Sequence, residues 1–337
     1  MTLPGIISTG EAHVAELRDG MRWVTTEAAM FRVEGTGAVD CLQGLLTCDI
    51  VGPGSDSVTY GAMLTAKGMI TVDFLVFRDG AGFTLIADPA ARLPALDLFK
   101  RQLPPRFARA SDRSDSHRVL WLLGAKTETV VRGADLPWPE HAGRLIVLPS
   151  DRGPALLGRP PAPAPWNGIL AGTPDGLAAI ADRLTRAGGV EGTFDDLELA
   201  RVLGGWPTLG REIDQRTLPQ EVRYDAIGGV SYTKGCYVGQ ETVARVHFRG
   251  HVNRRLRGLL WQGPAPAETD VLQGDKPVGR LTSGVQLENR GVGLGLIRRE
   301  VEPGATVRIG ATAGVVVDLP FESGDREAPG MEPGASP

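Results

Sequence analysis

A mixed α+β fold that ends in a small β-barrel is what this sequence predicts, and three observations carry the prediction. Within residues 1–255, apolar positions at helical spacing mix with β-rich hairpins, without the regular strand–helix alternation of a parallel sheet. From about Leu256 the texture changes to short β-forming runs separated by glycines, the pattern of a small barrel. The last residues, 322–337, are polar and rich in Gly and Pro, so a disordered tail is expected. The division that follows is two interleaved α+β domains over 1–255, a barrel over 256–321, and the tail.

Taken in order, residues 31–34 read as a strand that stops at Gly35-Thr36-Gly37. Val39, Leu42, Leu45 and Leu46 then recur at helical spacing, which predicts a helix ending near Thr47. Residues 58–65 and 69–77 are rich in β-formers and flank Ala66-Lys67-Gly68, a hairpin signal; Arg78-Asp79-Gly80 turns the chain into a strand over 83–87. Residues 119–123 and 145–148 add strands before a loop at 159–165, where repeated prolines preclude regular helix. Thr193 followed by Asp196 resembles a helix N-terminal capping arrangement, and Leu197, Ala200, Val202 and Leu203 supply the apolar positions before Gly204-Gly205. The barrel strands are expected over 256–261, 277–283, 292–297 and 314–319.

With 337 residues, 42% hydrophobic and 23% charged, the chain can bury a substantial core. Its 36 Lys and Arg against 40 Asp and Glu leave a net charge of -4, which gives no global attraction to phosphate backbones or anionic membranes. Neither nucleic acid nor membrane is therefore an expected partner. Cys41, Cys48 and Cys236 form none of the closely spaced pairs of a zinc site or disulfide framework, so no metal site is expected and a reducing cytoplasm fits best. The N-terminus lacks a basic stretch followed by an apolar one, and no later run has the length to cross a bilayer.

The most distinctive string is KGCYVGQE, Lys234 to Glu241. Gly235 and Gly239 permit tight backbone geometry, and Gln240 and Glu241 can start a short helix. Cys236 precedes that helix and neighbours Lys234, both of which favour thiolate. Cys41 and Cys48, seven apart on the predicted helix, read instead as small hydrophobes on its inner face. Asp73 lies on a strand whose neighbours are chiefly apolar, so its carboxylate is either satisfied internally or faces a cleft. Arg245, His247, Arg249, His251, Arg254, Arg255 and Arg257 form a local basic cluster that reads either as solvated surface or as a site for carboxylates. The GVGLGL string at 291–296 lacks dinucleotide-loop spacing and reads as a barrel strand.

KGCYVGQE resembles the signature of the YgfZ-like folate-binding proteins, a branch of the glycine-cleavage T-protein superfamily. The resemblance extends through GTGAVDCLQGLLTCDI (35–50), YGAMLTAKGMITVDFLVFR (60–78), ELARVLGGWPTLGREI (198–213) and the terminal strings PVGRLTSG, GVGLGLIRRE and VVVDLPF. It implies a three-part ring with a central folate cleft, tetrahydrofolate as cofactor, and iron–sulfur client or assembly proteins as partners. Asp73, Tyr237, Arg245 and Arg249 are the implied folate contacts, with Cys236 and Lys234 as the candidate catalytic groups. The implied function is that of a folate-dependent accessory factor for assembly or repair of iron–sulfur enzymes. An aminomethyltransferase or other one-carbon transferase and a noncatalytic folate sensor are the alternatives. Leu203 stands where aminomethyltransferases carry a pterin-contacting glutamate, and Val72 replaces the first residue of their Asp-Asp pair, which weighs against aminomethyl transfer.

Overall fold

Alternation of apolar side chains along the hairpin strands explains how the molecule is layered. In the computed structural model, which describes residues 5–161 and 163–321, strand Ile70–Asp79 sends Val72, Phe74 and Val76 to one face of its sheet and Leu75 and Phe77 to the other. Asp73 shares the second face by the same period of two. The helices of the described residues are α1 (Glu11–Asp19), α2 (Ala38–Leu45), α3 (Arg92–Gln102), α4 (Thr127–Gly133), α5 (Pro174–Arg186), α6 (Phe194–Leu203) and α7 (Gln240–Arg249).

The first sheet has the antiparallel order Ser57–Leu64, Ile70–Asp79, Gly82–Ala87, Ala29–Glu34, Arg109–Asp112, and α2 and α3 cover its outer face. A second sheet runs Val190–Glu191, Arg22–Thr26, Arg118–Leu123, Gly168–Gly172, Ala155–Gly158, Leu145–Leu148, with α4 and α5 on its outer face. The third part is a closed six-strand barrel of Arg254–Gln262, Asp270–Gln273, Lys276–Gln286, Arg290–Arg298, Thr306–Ile309 and Thr312–Val317. Pairing of Lys276–Gln286 with Arg290–Arg298 completes it, which leaves no open edge inside the ring of strands. Strand Ile6–Ser8 adds to the outside in parallel, Ile6 opposite Gly284. Inside, Trp261 needs Gly291, where a Cβ would sit 2.1 Å from the indole.

These three parts make the expected α+β ring. One apolar cluster draws on all of them, joining Tyr60 and Leu75 of the first sheet, Val119 and Ile169 of the second and Val285 and Leu294 of the barrel. The predicted hairpin is present as strands Ser57–Leu64 and Ile70–Asp79, turning through Gly68 at φ +82°. The helix expected to reach Thr47 stops at Leu45, because Leu46 turns extended and forms a bridge to Met63. Cys48 therefore lies beyond α2 and does not share its face with Cys41. The first barrel strand starts at Arg254, and the expected tail, 322–337, lies outside the described residues.

Helix α6 carries side chains to the centre, and its start is fixed by a reciprocal cap. The Thr193 hydroxyl accepts from the Asp196 N–H, and the Asp196 carboxylate accepts from the Thr193 N–H at 2.7 Å. Asp196 is also held at 2.5 Å by His13 of α1. Thr193→Ala removes one cap acceptor and should cost about 1 kcal/mol, read as a lower urea midpoint with an unchanged slope.

Candidate functional site

Where the three parts meet, the inner faces leave a cavity with ≈ 870 Å³ of space free of protein atoms, part of it open to solvent. Its wall is a continuous run of aromatic rings from separate elements. Trp121 meets Trp166 at 4.7 Å between centroids, Trp166 meets Trp206 at 5.3 Å, and Trp206 meets Tyr60 at 4.7 Å. Such a wall offers flat, polarisable surface to a planar ligand. The Trp166 indole N–H is buried and has no hydrogen-bond partner among the described residues.

Asp73 is the acid in this apolar wall. Its carboxylate accepts a 2.7 Å hydrogen bond from the Tyr60 hydroxyl. The Tyr224 hydroxyl lies 3.0 Å from that of Tyr60. Since Tyr60 has one proton and gives it to Asp73, Tyr224 is the donor of the second bond. No salt bridge reaches Asp73 among the described residues. Burial pushes its carboxyl up to about 6, against the opposing pull of the Tyr60 bond. The alternatives left open by the sequence thus combine: Asp73 is partly satisfied internally and also lines the cavity.

A buried ion network forms one side of the site. Arg201 of α6 reaches Glu198 at 2.9 and 3.1 Å, Glu212 at 3.1 Å, the Trp206 carbonyl at 2.8 Å and the Ser283 hydroxyl of the barrel at 2.6 Å. Arg211 gives Glu198 a second cation at 2.5 Å, while Thr282 and Ser283 donate to Glu212 at 2.7 Å. Every oxygen of the two carboxylates therefore has a donor, the condition under which buried charges are tolerated. The network ties α6 to the barrel and fixes the side of the cavity.

The KGCYVGQE loop lies elsewhere. Gly239 adopts φ +82° as α7 begins, and a Cβ there would meet the Thr65 carbonyl oxygen at 2.6 Å; Gly235 has open space around it and no such constraint. Lys234 is not spent on the Cys236 thiol. Its ammonium donates to the carbonyls of Gln43, Leu46 and Cys48 at 2.5–2.9 Å, because acceptors in the last turn of α2 and just beyond it offer three strong bonds at once. Burial lowers that amine to about 8. Cys236 is exposed, and neither it nor Tyr237, Arg245 or Arg249 lines the Asp73 cavity.

Tyr237 is buried, its ring 5.1 Å from the Lys234 ammonium, and its hydroxyl has no hydrogen-bond partner among the described residues. Arg245 and Arg249 stand exposed on α7. The basic cluster read from the sequence is divided: Arg254 pairs with Glu221 and Arg257 with Asp318, and His247 stacks on Tyr232 at 3.7 Å. The cysteines separate as well. Cys48 is buried and pushed up to about 11, and Cys41 is raised by burial and by Asp40. Alkylation of the folded protein, localised by mass spectrometry, should label Cys236 first and Cys48 last; the reverse order would remove the thiol from any role at the surface.

Most of the cavity was not apparent from the sequence. Trp121, Trp166, Trp206, Tyr60, Glu198 and Arg201 carried no motif. Two signals were available: the hairpin register, which sets Tyr60 on the strand beside Asp73, and the spacing of Glu198 and Arg201 on one face of a capped helix.

Comparison with known proteins gives the same assignment. Residues 21–136 match the model of the GCVT N-terminal domain, and residues 253–321 match that of the CAF17 C-terminal beta-barrel domain. The fold is that of a solved glycine cleavage system aminomethyltransferase T from Bartonella henselae, with a TM-score of 0.78 over 91% of this chain and 88% of that one, at 19% identity. The chain thus resembles the glycine-cleavage T-protein superfamily in its N-terminal domain, its barrel and its fold. Among the branches it is similar to the YgfZ-like one. Similar curated proteins include the tRNA-modifying protein YgfZ of Vibrio vulnificus (strain YJ016), 27% identical over 83% of this chain and 85% of that protein. Another is the Vibrio atlanticus (strain LGP32) protein of the same name, 26% identical over 80% and 81%.

Proposed function

We propose that this protein binds tetrahydrofolate in the Asp73 cavity and serves in the cytoplasm as an accessory factor for assembly or repair of iron–sulfur enzymes. The observation that carries the binding half is the Asp73 carboxylate, without a salt bridge among the described residues, set beside an aromatic wall at the junction of three parts. A reduced pterin is planar and presents amino and ring N–H donors together with a carbonyl acceptor. Asp73 supplies the acceptor and the Trp and Tyr rings the stacking surface, so the residues present fit the group. When bound, tetrahydrofolate brings a redox-active ring and a carrier for one-carbon units.

Aminomethyl transfer is the less favoured chemistry. Val72 is buried on the opposite face of its strand from Asp73, and Leu203 packs into the apolar cluster rather than lining the cavity, so neither replaces the carboxylate that it stands for. The exposed Cys236, on a loop anchored by Lys234, supports a thiol that works at the protein surface on a partner. Three unbridged cysteines support a reducing compartment. The curated relatives are named tRNA-modifying, which is compatible with an iron–sulfur client among enzymes that modify tRNA.

Titration calorimetry with tetrahydrofolate tests the binding half, and absence of heat up to millimolar ligand would refute it. The accessory role is tested by iron–sulfur enzyme activities in cells lacking the gene. Rescue by the wild type but not by Cys236→Ser is expected. Normal iron–sulfur activity with defective glycine cleavage would favour the transferase instead.

A further inference from the structure

We infer that the cavity selects against anionic tails: it takes a reduced pterin carrying one glutamate or none in preference to the same pterin with a γ-polyglutamate chain. This rests on the folate reading and concerns the form of ligand that the site admits. The exposed members of the cavity lining mark its mouth. They are Glu27, Pro89 and Phe194, the last 57% exposed at the first turn of α6, so a tail leaves between the Thr26–Ala28 turn, the turn after strand Gly82–Ala87 and the start of α6.

The charges along that route are uncompensated on one side only. Arg201 is the one cation among the described residues of the cavity lining, and Glu198 and Glu212 already match it. Arg118 reaches Glu27 at 3.3 Å from outside the lining. Asp73 and Asp88 have no cation among the described residues. Asp88 accepts only from the N–H of Ala90 in its own turn, and its charge lies close enough to Asp73 to oppose ionisation there. With Asp73 taken by the pterin, Asp88 is the carboxylate left to face a passing tail.

The start of a helix would ordinarily welcome an anion. Here it is occupied by the protein's own acids, since Asp196 closes the cap of α6 and Asp195 stands in the first turn. Arg245 and Arg249, the residues best suited to a tail carboxylate, belong to α7 and do not line this cavity. Each added γ-glutamyl unit carries one more negative charge. The first units beyond the mouth lie within the screening length of about 8 Å at physiological salt, where like charges repel measurably.

The test is calorimetry on the full chain with three probes: tetrahydropterin without a tail, tetrahydrofolate monoglutamate and tetrahydrofolate pentaglutamate. The pentaglutamate should bind about tenfold more weakly than the monoglutamate at low salt, and the gap should close toward 0.5 M salt, about the strength at which screening is complete over such distances. Asp88→Asn keeps the acceptor for the Ala90 N–H and removes the charge. It should raise the affinity for pentaglutamate more than that for the tail-less pterin. Pentaglutamate binding as tightly as monoglutamate or tighter would overturn the inference alone, as would a gap unmoved by both salt and Asp88→Asn. Failure of all three probes to bind would overturn the folate reading, and this inference with it.

Discussion

Arg201→Ala should destabilise the protein by about 3–5 kcal/mol, the range for removing one partner of a buried, hydrogen-bonded ion pair. Arg201 is 5% exposed and Glu212 fully buried. Without the guanidinium, Glu212 keeps only the hydroxyls of Thr282 and Ser283 and the Thr208 N–H, while Glu198 keeps Arg211. The barrel also loses its bond from α6 through Ser283, so the loss is felt between parts as well as within one. Urea unfolding gives the measurement. Adding Glu212→Gln to Arg201→Ala should recover part of the loss, because one unpaired buried charge is removed along with its partner. A single-variant cost below about 1 kcal/mol, the level of an exposed pair, would show that the network is solvated and holds nothing together.

Asp73→Asn should move stability and binding in opposite directions. The folded carboxyl sits near 6, above its ordinary value of 3.8, because burial penalises the charged form. A group raised in this way favours the fold most below the unfolded value, and that contribution is lost as pH rises through 6. At pH 7.5 the wild type therefore holds a buried charge that asparagine lacks. The variant should be about 2–3 kcal/mol more stable there and no more stable at pH 4, where both side chains are neutral. Asparagine still offers an oxygen to the Tyr60 hydroxyl.

Tetrahydrofolate affinity should fall roughly 10- to 100-fold in the same variant, the scale of a hydrogen bond to a charged acceptor exchanged for a neutral one. For the wild type, affinity should decline as pH drops below 6 and the acceptor is protonated. A thermal melt series across pH 4–8, paired with calorimetry, reads both effects. An unchanged affinity would place the pterin away from Asp73 whatever the melts show.

The sequence disclosed the parts of this structure whose signals are local. The hairpin around Gly68, the Thr193 cap and the glycine-separated barrel strands are each written in a few adjacent residues, and each is present. The start of α7 at Gln240 follows from Gly239 in the same way. The second sheet's helices were harder. Helix α5 has Thr173 as cap and Pro174 at its first position, yet it follows the proline-rich loop, which dominates the local texture. The site was legible only at Asp73, because a carboxylate among apolar strand residues is conspicuous. Its aromatic wall comes from separate strands and turns, with contacting rings 40 residues apart or more, and no local pattern announces which tryptophans will meet. Lys234 shows the converse: sequence adjacency suggested Cys236, and three carbonyls from residues 43–48 took the ammonium instead.

The pairing of Ile6–Ser8 with Gly284–Gln286 bears on how the protein is made. Ile6–Ser8 leaves the ribosome roughly 280 residues ahead of its strand partner. At ~10 residues per second the interval is roughly half a minute. For all of it the Ile6 side chain, which finishes buried, and the backbone groups around it lack their final covering. The bidentate contact between Glu11 and Arg290 is postponed equally long. A nascent chain stalled anywhere between Ser8 and Gly284 would carry Ile6–Ser8 as an open strand, so that segment is protected late from proteases and from pairing with other chains.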